Sequence, residues 1–481
     1  MEQLTRRQLL ARGTALAFGA VPLVDALAAS AAPPTGIYRE LARTIRGDVV
    51  QRGAPGYDTA RIVYDTRFDA IKPQAIVFCE SRADVQKTVR WARRHRIHIV
   101  PRSGGHSYGG YSTTPGVIVD VSRMHAVSVT SSGRAAVGAG AKLLGVYTAL
   151  AAAGRMIPGG TCPTVGIAGL TQGGGIGLSA RKFGLTCDNL LEAAVVLADG
   201  GAVIANAQQH PDLFWAIRGG GGGNFGIATR FVFRSHAVGN VATYSREWPC
   251  SDAKQVVQAW QAFAPHAPDG LTSVLNLNAA AGATHITSAG QFYGSESALR
   301  SLLAPLLNAG TPLRFATSTR TFLGAVHYWA GGGGGRSTFG AKSSISDAPL
   351  SSAGVDALIR SLEARRNTLG SGIVLLDSWG GAINRVPKAR TAFVHRDALF
   401  SMQYLSYWSG AAAAANLAWL RSCYAALRPY VSPFAYQNYI DPELPNWQRA
   451  YYGTNLPRLQ QVKRKYDPQN VFHFRQSVRL R

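Results

Sequence analysis

A histidine between two pairs of glycines is the sequence feature that most restricts how this chain folds. It lies in PRSGGHSYGGYS, residues 101–112, after an apolar run at residues 97–100 that predicts a buried strand. Glycine allows a positive φ angle and lets a backbone approach a ligand closely. His106 is therefore expected in a tight loop at a strand end, as a ligand contact, a metal ligand, a catalytic base or an incidental loop residue.

A second glycine-rich segment, GGGIGLSA at residues 173–180, contains a G-x-G-x-x-A pattern at Gly175, Gly177 and Ala180. A dinucleotide-binding fingerprint needs a strand directly before it and an acidic residue about twenty residues later. Asp199 is at that distance, but the preceding CPTVGIAGLTQ is not a β-branched strand. The pattern therefore favours tight turns over a nucleotide fingerprint, although the segment alone leaves both open.

Metal and hydrolase sites lack their usual signals. His95 and His98 do not have the i, i+4 spacing of a helical zinc site, and neither a CxxC pair nor a G-x-S-x-G motif is present. The sequence therefore predicts no metal site and gives no support to a hydrolase.

The pattern of apolar runs predicts two α+β parts. Residues 75–100 read as strand, helix, strand with Ser81 at the helix N-cap, and residues 191–206 read as a hairpin with Asp199 in its turn. Residues 214–235 run from a helix through a glycine loop into a strand. From about residue 238, β-like and helical runs indicate a second α+β domain, and the tail from Tyr436 is expected to fold back on the first. The glycines at 331–335 predict a surface loop.

Charge and composition restrict the partners. The 481 residues carry a formal net charge of +24, which favours weak attraction to polyanions. The densest basic run, RWARRHR at residues 90–96, predicts the end of an amphipathic helix, and no nucleic-acid-binding motif accompanies it. Specific nucleic-acid binding is therefore not expected.

The N-terminus predicts export. Arg6 and Arg7 precede an Ala/Leu-rich run to about residue 24 and small-residue sites at residues 26–32, a pattern typical of a twin-arginine signal peptide. The alternatives are an ordinary secretory signal and an anchor helix, although the apolar run is short for a membrane span. The five cysteines are an odd number for an exported protein, so one of them is expected to have a special role.

Three segments together resemble the berberine-bridge-enzyme-like branch of the FAD-linked oxidases, in the vanillyl-alcohol-oxidase/PCMH superfamily. They are PRSGGHSYGGYS, GGTCPTVGIAGLTQGGGIGLSARKFGLTCDN (159–189) and YQNYIDPEL…KYDPQNVFHF (436–474). The resemblance implies an α+β, two-domain PCMH-type fold. Its expected parts are a signal peptide (1–32), an FAD-binding domain (33–237), an inserted substrate domain on an antiparallel sheet (238–430) and a tail that completes the FAD domain (431–481).

The resemblance also implies FAD held by two covalent bonds, from His106 to the 8α-methyl group and from Cys162 to C6. Attack by these residues needs a neutral imidazole and a thiolate, and the glycine loops are expected to present backbone N–H groups to the pyrophosphate. The residues implied as further cofactor contacts are Arg102, Ser103, Gly104, Gly105, Ser107, Gly109, Gly110, Thr161, Val165, Gly166, Gly169, Gly173, Gly174, Gly175, Gly177, Asp188, Gly226, Ile227, Asn438 and Asn470.

The resemblance also implies that Tyr436, in a Y-x-N motif on a tail strand, is the catalytic base. Because tyrosine ordinarily titrates near pH 10, this role requires surroundings that lower its pKa. Asp377 and Tyr404 are the candidates for the second catalytic residue.

The implied reaction moves a hydride from a hydroxyl carbon of an aldose, oligosaccharide or other alcohol to the flavin and then reduces O₂ to H₂O₂. The small Val165 favours access for oxygen. A secondary-metabolite tailoring oxidase, a dehydrogenase with another acceptor, and an exported sugar- or polyanion-binding protein are the alternatives.

Overall fold

The computed structural model describes residues 35–280, 283–331, 335–366 and 370–481. The predicted signal peptide with Arg6 and Arg7, and most of the glycine run at 331–335, lie outside these residues. Within the described ranges, no helix combines the length and apolar character that a bilayer span requires.

The strands form three main sheets and one two-stranded ribbon. Their bounds are β1 Asp48–Gln51, β2 Ala75–Phe78, β3 Ile99–Arg102, β4 Val117–Asp120, β5 Val127–Val129, β6 Arg134–Gly138, β7 Arg155–Met156, β8 Leu190–Val196, β9 Ala202–Asn206, β10 Ile227–Arg234, β11 His236–Ala237, β12 Val241–Trp248, β13 Leu271–Ala280, β14 Ala283–Phe292, β15 Arg314–Arg320, β16 Phe339–Ser346, β17 Ser371–Ser378 and β18 Phe400–Tyr407.

The helices connect and cover these sheets. Their bounds are α1 Gly36–Ala42, α2 Tyr57–Arg61, α3 Arg82–Arg94, α4 Leu143–Ala152, α5 Ile167–Gln172, α6 Ala180–Phe183, α7 Pro211–Ala216, α8 Ala253–Phe263, α9 Glu296–Leu302, α10 Ala304–Leu307, α11 Phe322–Ala330, α12 Ser352–Arg366, α13 Ala413–Leu427, α14 Trp447–Tyr452 and α15 Leu456–Tyr466.

The first sheet, in the order β1-β2-β4-β3, contains the predicted strand–helix–strand unit. Strands β2 and β3 both pair in parallel with β4, so a crossover helix, α3, connects β2 to β3. Ser81 caps this helix as predicted: its hydroxyl accepts from the Asp84 amide, and the Asp84 carboxylate accepts from the Ser81 amide. The segment that begins PRSGG leaves the sheet at the end of β3.

The second sheet is antiparallel, in the order β5-β6-β10-β8-β9. It contains the predicted hairpin, whose turn is closed by a 2.7 Å hydrogen bond from the Gly201 amide to Asp199. The helix–loop–strand prediction is confirmed as well, because α7 leads through the glycine loop into β10. Residues 173–175 follow the helix α5 and not a strand, so the fingerprint reading of this segment is wrong.

The third sheet has seven antiparallel strands in the order β15-β12-β14-β13-β17-β18-β16, all within the predicted substrate segment. Side chains alternate across it, as a period of two requires. One face packs its leucines, for example Leu275 and Leu277, against α8, α12 and α13, while the other face is open to the cleft and carries polar side chains together with an apolar cluster around Ile373 and Leu375. This arrangement confirms the expected antiparallel sheet.

The tail packs against the first two sheets, and Leu459 and Val462 of α15 lie in their shared core. Lys463 and Asp467 form a fully buried ion pair of 2.7 Å. The Lys463 ammonium also donates to the Asn224 carbonyl, which ties the tail to the glycine loop before β10. The expected tail strand is wrong, however, because Tyr436 directly precedes a short 3₁₀ turn, Gln437–Tyr439.

Candidate functional site

A cleft of about 1880 Å³ lies between the loops of the first two sheets and the open face of the third. The loop after β3, the loop before α5, the glycine loop before β10 and the 3₁₀ turn in the tail all line it. Segments separated by more than 300 residues thus contribute to one site.

The loops that carry His106 and Cys162 touch through glycines. A Cβ atom added to Gly104 would lie closer than 3.0 Å to the Gly166 amide nitrogen, and one added to Gly166 would lie equally close to Ser103 and to the Gly104 nitrogen. Because real Cβ atoms do not approach backbone so closely, only glycine permits this contact. The two sequence motifs therefore meet at one point in the cleft.

His106 is held in a fixed orientation. Its Nε2 lies 2.9 Å from the Thr164 hydroxyl, on the loop that also carries Cys162, and the Tyr64 ring stacks on the imidazole at 4.1 Å between centroids. Burial, and secondarily the charge of Lys142, lowers the pKa of His106 to about 4. The imidazole is therefore neutral at physiological pH and able to act as a nucleophile.

Cys162 is the one exposed cysteine among the five, all of which are described and unpaired. Cys79, Cys187 and Cys423 are buried, and burial raises the pKa of each of these thiols. The odd cysteine that the sequence singled out is thus the thiol that the cleft presents to a ligand.

Arg102 lines the cleft and has one buried guanidinium nitrogen without a hydrogen-bond partner among the described residues. Its guanidinium is buried, pairs with Asp120 through Nε, and donates through Nη2 to the Ala60 carbonyl at 2.7 Å. Its Nη1 has no hydrogen-bond partner among the described residues. An unpartnered buried donor beside glycine-rich backbone is suited to an anionic group.

Tyr436 also lines this cleft and is 1% exposed. Its oxygen accepts two hydrogen bonds of 2.9 Å, from the Gly175 amide and from the Asn438 side chain. Burial nevertheless raises the pKa of Tyr436 well above its usual value, against the opposing effect of these two donors. The expectation that the surroundings lower this pKa is therefore wrong for the described chain.

Asp377 reaches the cleft from β17, where the Ser401 hydroxyl donates to it at 3.4 Å. Burial raises the pKa of Tyr439, and the charges of Asp377, Tyr436 and Cys162 raise it further. The predicted carboxylate, phenol and thiol are thereby brought to one part of the cleft, around a tyrosine that the sequence argument did not select.

The structure places fifteen predicted cofactor residues in the cleft lining. These are Arg102, Ser103, Gly104, Gly105, His106, Ser107, Thr161, Cys162, Val165, Gly166, Gly169, Gly177, Gly226, Ile227 and Asn438.

Tyr404 does not line the cleft. It alternates with Gln403 and Leu405 on β18, so those two face the cleft while Tyr404 is buried beneath the helices, 3.3 Å from the Ser344 hydroxyl. Its assignment as a catalytic candidate is therefore corrected by the period of the strand.

Several predicted cofactor glycines contact protein and do not line the cleft. The spaces for Cβ atoms at Gly109 and Gly110 are filled by the rings of Tyr111 and Phe68, and those at Gly173, Gly174 and Gly175 by Asn438, Phe393 and Thr186. Gly173 thus allows the tail to pack closely at Asn438, and the Gly175 amide positions Tyr436.

Asp188 and Asn470 also lie outside the cleft lining. The Asp188 carboxylate accepts two hydrogen bonds, of 2.7 and 2.9 Å, from the buried guanidinium of Arg396. Asn470 lies in a separate basic groove beside Arg93 and Arg96, with a φ of 53°. Neither is placed to contact a ligand in the cleft.

Other cleft residues were missed by the sequence argument. The glycine run before β10 contributes Gly221, Gly222 and Gly223, and its position between a helix and a strand was an available signal. Tyr108 stacks with Tyr439 at 5.7 Å and accepts a 2.9 Å hydrogen bond from Gln403. No local pattern indicates that contact, because it joins residues 295 positions apart.

Two family models match segments of this chain. Residues 73–206 match a model described as FAD binding domain, and residues 435–479 match one described as berberine and berberine like. The Bacillus subtilis (strain 168) protein named uncharacterized FAD-linked oxidoreductase YgaK is 37% identical, over 90% of this chain and 97% of its own. The chain belongs to the berberine-bridge-enzyme-like FAD-linked oxidoreductases.

Two further berberine-bridge-enzyme-like relatives extend this result. Chitooligosaccharide oxidase of Gibberella zeae is 30% identical over 89% of this chain and 91% of its own. The solved structure of Physcomitrella patens BBE-like 1 is 34% identical, covers 93% of this chain and 100% of that chain, and has a TM-score of 0.86. The expected fold is thereby confirmed.

The cleft of this berberine-bridge-enzyme-like chain fits the FAD that its family binds. The unpaired Arg102 donor and the glycine loops suit the pyrophosphate, while His106 and Cys162 offer a neutral imidazole and an accessible thiol. Among the described residues, no group of three or more His, Cys, Asp and Glu side chains is arranged to hold a metal ion.

Proposed function

We propose that this protein is an FAD-linked oxidase that removes a hydride from a hydroxyl-bearing carbon of an aldose or oligosaccharide and a proton from that hydroxyl, and that transfers the two electrons to O₂, giving H₂O₂. FAD, when bound, supplies the hydride acceptor and the site of oxygen reduction. One observation carries the proposal: the cleft lined by the predicted cofactor loops continues over the open face of the seven-stranded sheet, where Asp377 and other polar side chains line it.

We further propose that His106 and Cys162 both attach the cofactor covalently. The contact of Gly104 with Gly166 fixes the two loops against each other, and the bond from Thr164 orients the imidazole. Cys162 remains accessible, as a thiol must be to react. Two attachments hold the cofactor without walls that close around it, which leaves the cleft open to a bulky substrate.

The raised pKa of Tyr436 changes its proposed role. Its two acceptor positions are filled by Gly175 and Asn438, so its own O–H is left to donate a hydrogen bond to the substrate oxygen. We assign proton removal to Asp377, because a carboxylate is ordinarily ionised in neutral solution and can accept a proton, whereas the raised pKa of Tyr436 keeps its phenol protonated. Tyr436 positions the hydroxyl and Asp377 takes its proton.

The relationship to a chitooligosaccharide oxidase supports a carbohydrate substrate. Tyr407 and Trp408 line the cleft, where aromatic rings can stack on a sugar, whereas Trp379 is fully buried and unavailable. Val165, a small residue in the cleft lining, supports oxygen as the electron acceptor. We also propose that residues 1–32 direct the folded protein out of the cytoplasm.

The test is a peroxide assay over aldoses, oligosaccharides and simple alcohols in air. We expect peroxide with a sugar, and we expect Asp377→Asn to lower kcat by about 10²- to 10⁴-fold. Tyr436→Phe should lower it as well, because the substrate oxygen loses its donor. Asp356→Asn, at an exposed carboxylate paired with Lys254 at 2.8 Å, is the matched control and should not change it.

Undiminished turnover in Asp377→Asn would remove that residue from the mechanism. Flavin that sugar reduces but that stays bleached in air would replace the oxidase with a dehydrogenase. Flavin that is reduced by a non-sugar alcohol and by none of the sugars would favour a tailoring oxidase.

A further inference from the structure

A second concave surface lies at the end of α3, apart from the cofactor cleft. It is a groove of about 600 Å³ between the last turns of this helix and the chain that follows α15. The proposed oxidation makes no use of it. We call it the basic groove, and its principal lining residues are Arg90, Arg93, Arg94, Arg96, Gln469 and Asn470.

The positive charge of the basic groove is largely uncompensated. All four arginines are exposed, and within the described part of the chain neither Asp nor Glu lines the groove. Arg94 pairs with the carboxylate of Glu40. Arg93 donates to the uncharged amide of Gln469 at 2.8 Å, and Arg90 donates to a backbone carbonyl at 2.9 Å. Three of the four guanidinium charges therefore have no carboxylate partner among the described residues.

One of these arginines occupies a position that is unfavourable for an arginine. The Ile97 amide donates to the Ala92 carbonyl at 2.9 Å and closes a Schellman motif around Arg96. Arg96 has a φ of 53°, a conformation that strains any residue with a Cβ atom. The equivalent position after α4 is Gly154, with a φ of 68°. The chain thus places a groove-lining arginine where helix stability alone favours glycine.

The other groups in the basic groove discriminate among anionic partners. Guanidinium groups bind carboxylates in a bidentate manner, and the amides of Gln469 and Asn470 can bind hydroxyls. The imidazoles of His98 and His473 lie against each other, at 4.3 Å between centroids. In the described chain no Phe, Tyr or Trp lines the groove, so it lacks the broad rings on which nucleobases stack. Carboxylates and hydroxyls together are the chemistry of an acidic sugar.

We propose that the basic groove binds an acidic polysaccharide, a chain whose sugars carry carboxylates. The arginines pair with the carboxylates, and the two amides accept from or donate to the hydroxyls. No covalent bond is made or broken. His473 lines both the groove and the cleft, so the bound polymer holds the protein with its cleft beside the chain. This inference does not depend on the proposed oxidation.

The test measures the fluorescence anisotropy of a labelled β-1,4-linked oligomannuronate titrated with the full-length holoenzyme at several salt concentrations. A mannan oligosaccharide of the same linkage and length, which lacks the carboxylates, is the matched probe. We expect the uronate to bind and the neutral probe not to bind. Arg93→Gln/Arg96→Gly should raise Kd by about tenfold at low salt, and should lower the slope of log Kd against log salt by about one per arginine.

Two further variants control for charge and folding. Arg134→Gln/Arg234→Gln removes the same charge from two exposed arginines that face each other on β6 and β10, outside the groove. It should keep Kd within about twofold of wild type. Arg96→Gly alone should weaken binding by about threefold and raise the urea midpoint, because glycine relieves the strain at this helix end. A protein that gains stability while it loses affinity has not lost its fold.

Four results would overturn the proposal. Equal losses of affinity in the two double variants would make net charge, and not the groove, responsible for binding. Neutral probe that binds as tightly as the uronate, or uronate that does not bind at low salt, would exclude an acidic polysaccharide. Single-stranded DNA or phosphatidylglycerol vesicles that bind more tightly than the uronate would assign the groove to a nucleic acid or a membrane. A lower urea midpoint for Arg96→Gly would contradict the strained helix end.

Discussion

The contact between the two cofactor loops can be tested with a single methyl group. In Gly166→Ala the new Cβ would lie within 3.0 Å of the Ser103 side chain and of the Gly104 nitrogen. Ordinary contact begins at 3.4 Å, so the loops must separate by about 1 Å, an overpacking that costs about 1–3 kcal/mol of unfolding free energy. A displacement of this size also moves His106 away from Cys162, which lowers turnover by up to about 10²-fold.

Gly145→Ala is the matched control. Gly145 lies inside α4, and a Cβ there meets no atom within 4 Å. The same substitution should therefore stabilise the protein by about 0.5–1 kcal/mol, because alanine is the better helix former. The two variants are expected to shift stability in opposite directions although their chemical change is identical.

The assay is urea unfolding followed by fluorescence, with the flavin content of each purified variant measured from its absorbance. We expect a lower midpoint and less flavin for Gly166→Ala, and a higher midpoint with wild-type flavin for Gly145→Ala. If Gly166→Ala unfolds within about 0.5 kcal/mol of wild type and carries the same flavin, the loops do not meet as described and the reasoning fails.

Two further predictions concern histidines. If both residues attach the flavin, His106→Ala and Cys162→Ala should each keep it bound after acid precipitation, and the double variant should release all of it. Release of the flavin from either single variant would mean that only one covalent bond holds it. Burial lowers the pKa of His395 to about 3, whereas an unfolded histidine titrates near 6.5. The unfolded chain therefore binds the extra proton between these values, and unfolding free energy should fall as pH drops through this window, by up to about 1.4 kcal/mol per pH unit. His395→Phe should reduce that slope, and parallel curves for the variant and wild type would contradict the assignment.

Local signals in the sequence were sufficient for the elements with a complete pattern. The Ser81 cap, the hairpin around Asp199 and the amphipathic strands each depend on residues that are close in sequence, so periodicity and turn chemistry identified them. The same reasoning failed for the segment that holds Tyr436, because no strand partner reaches it and the chain forms a 3₁₀ turn there.

The glycine motifs show how far sequence reasoning about the site extends. Motif and resemblance selected both loops, but they also assigned as cofactor contacts five glycines that do not line the cleft, Gly109, Gly110, Gly173, Gly174 and Gly175. Whether a glycine serves a ligand or a protein neighbour depends on what occupies the space beside it. Gly104 lines the cleft and meets the loop that carries Gly166. Gly173 does not line the cleft and makes room for the side chain of Asn438. Tyr404 was misplaced for a similar reason, since the face that a strand turns to the cleft is set by its neighbours.

The sequence by itself determined the family and the cofactor, and it selected His106 and Cys162. All of these are encoded in contiguous motifs. Only the tertiary structure decided which residues meet in the cleft. Asp377, Tyr436 and Cys162 come from three distant segments, and Tyr439 interacts with all three of them. Such contacts have no local signal, because folding and not sequence order makes these side chains neighbours.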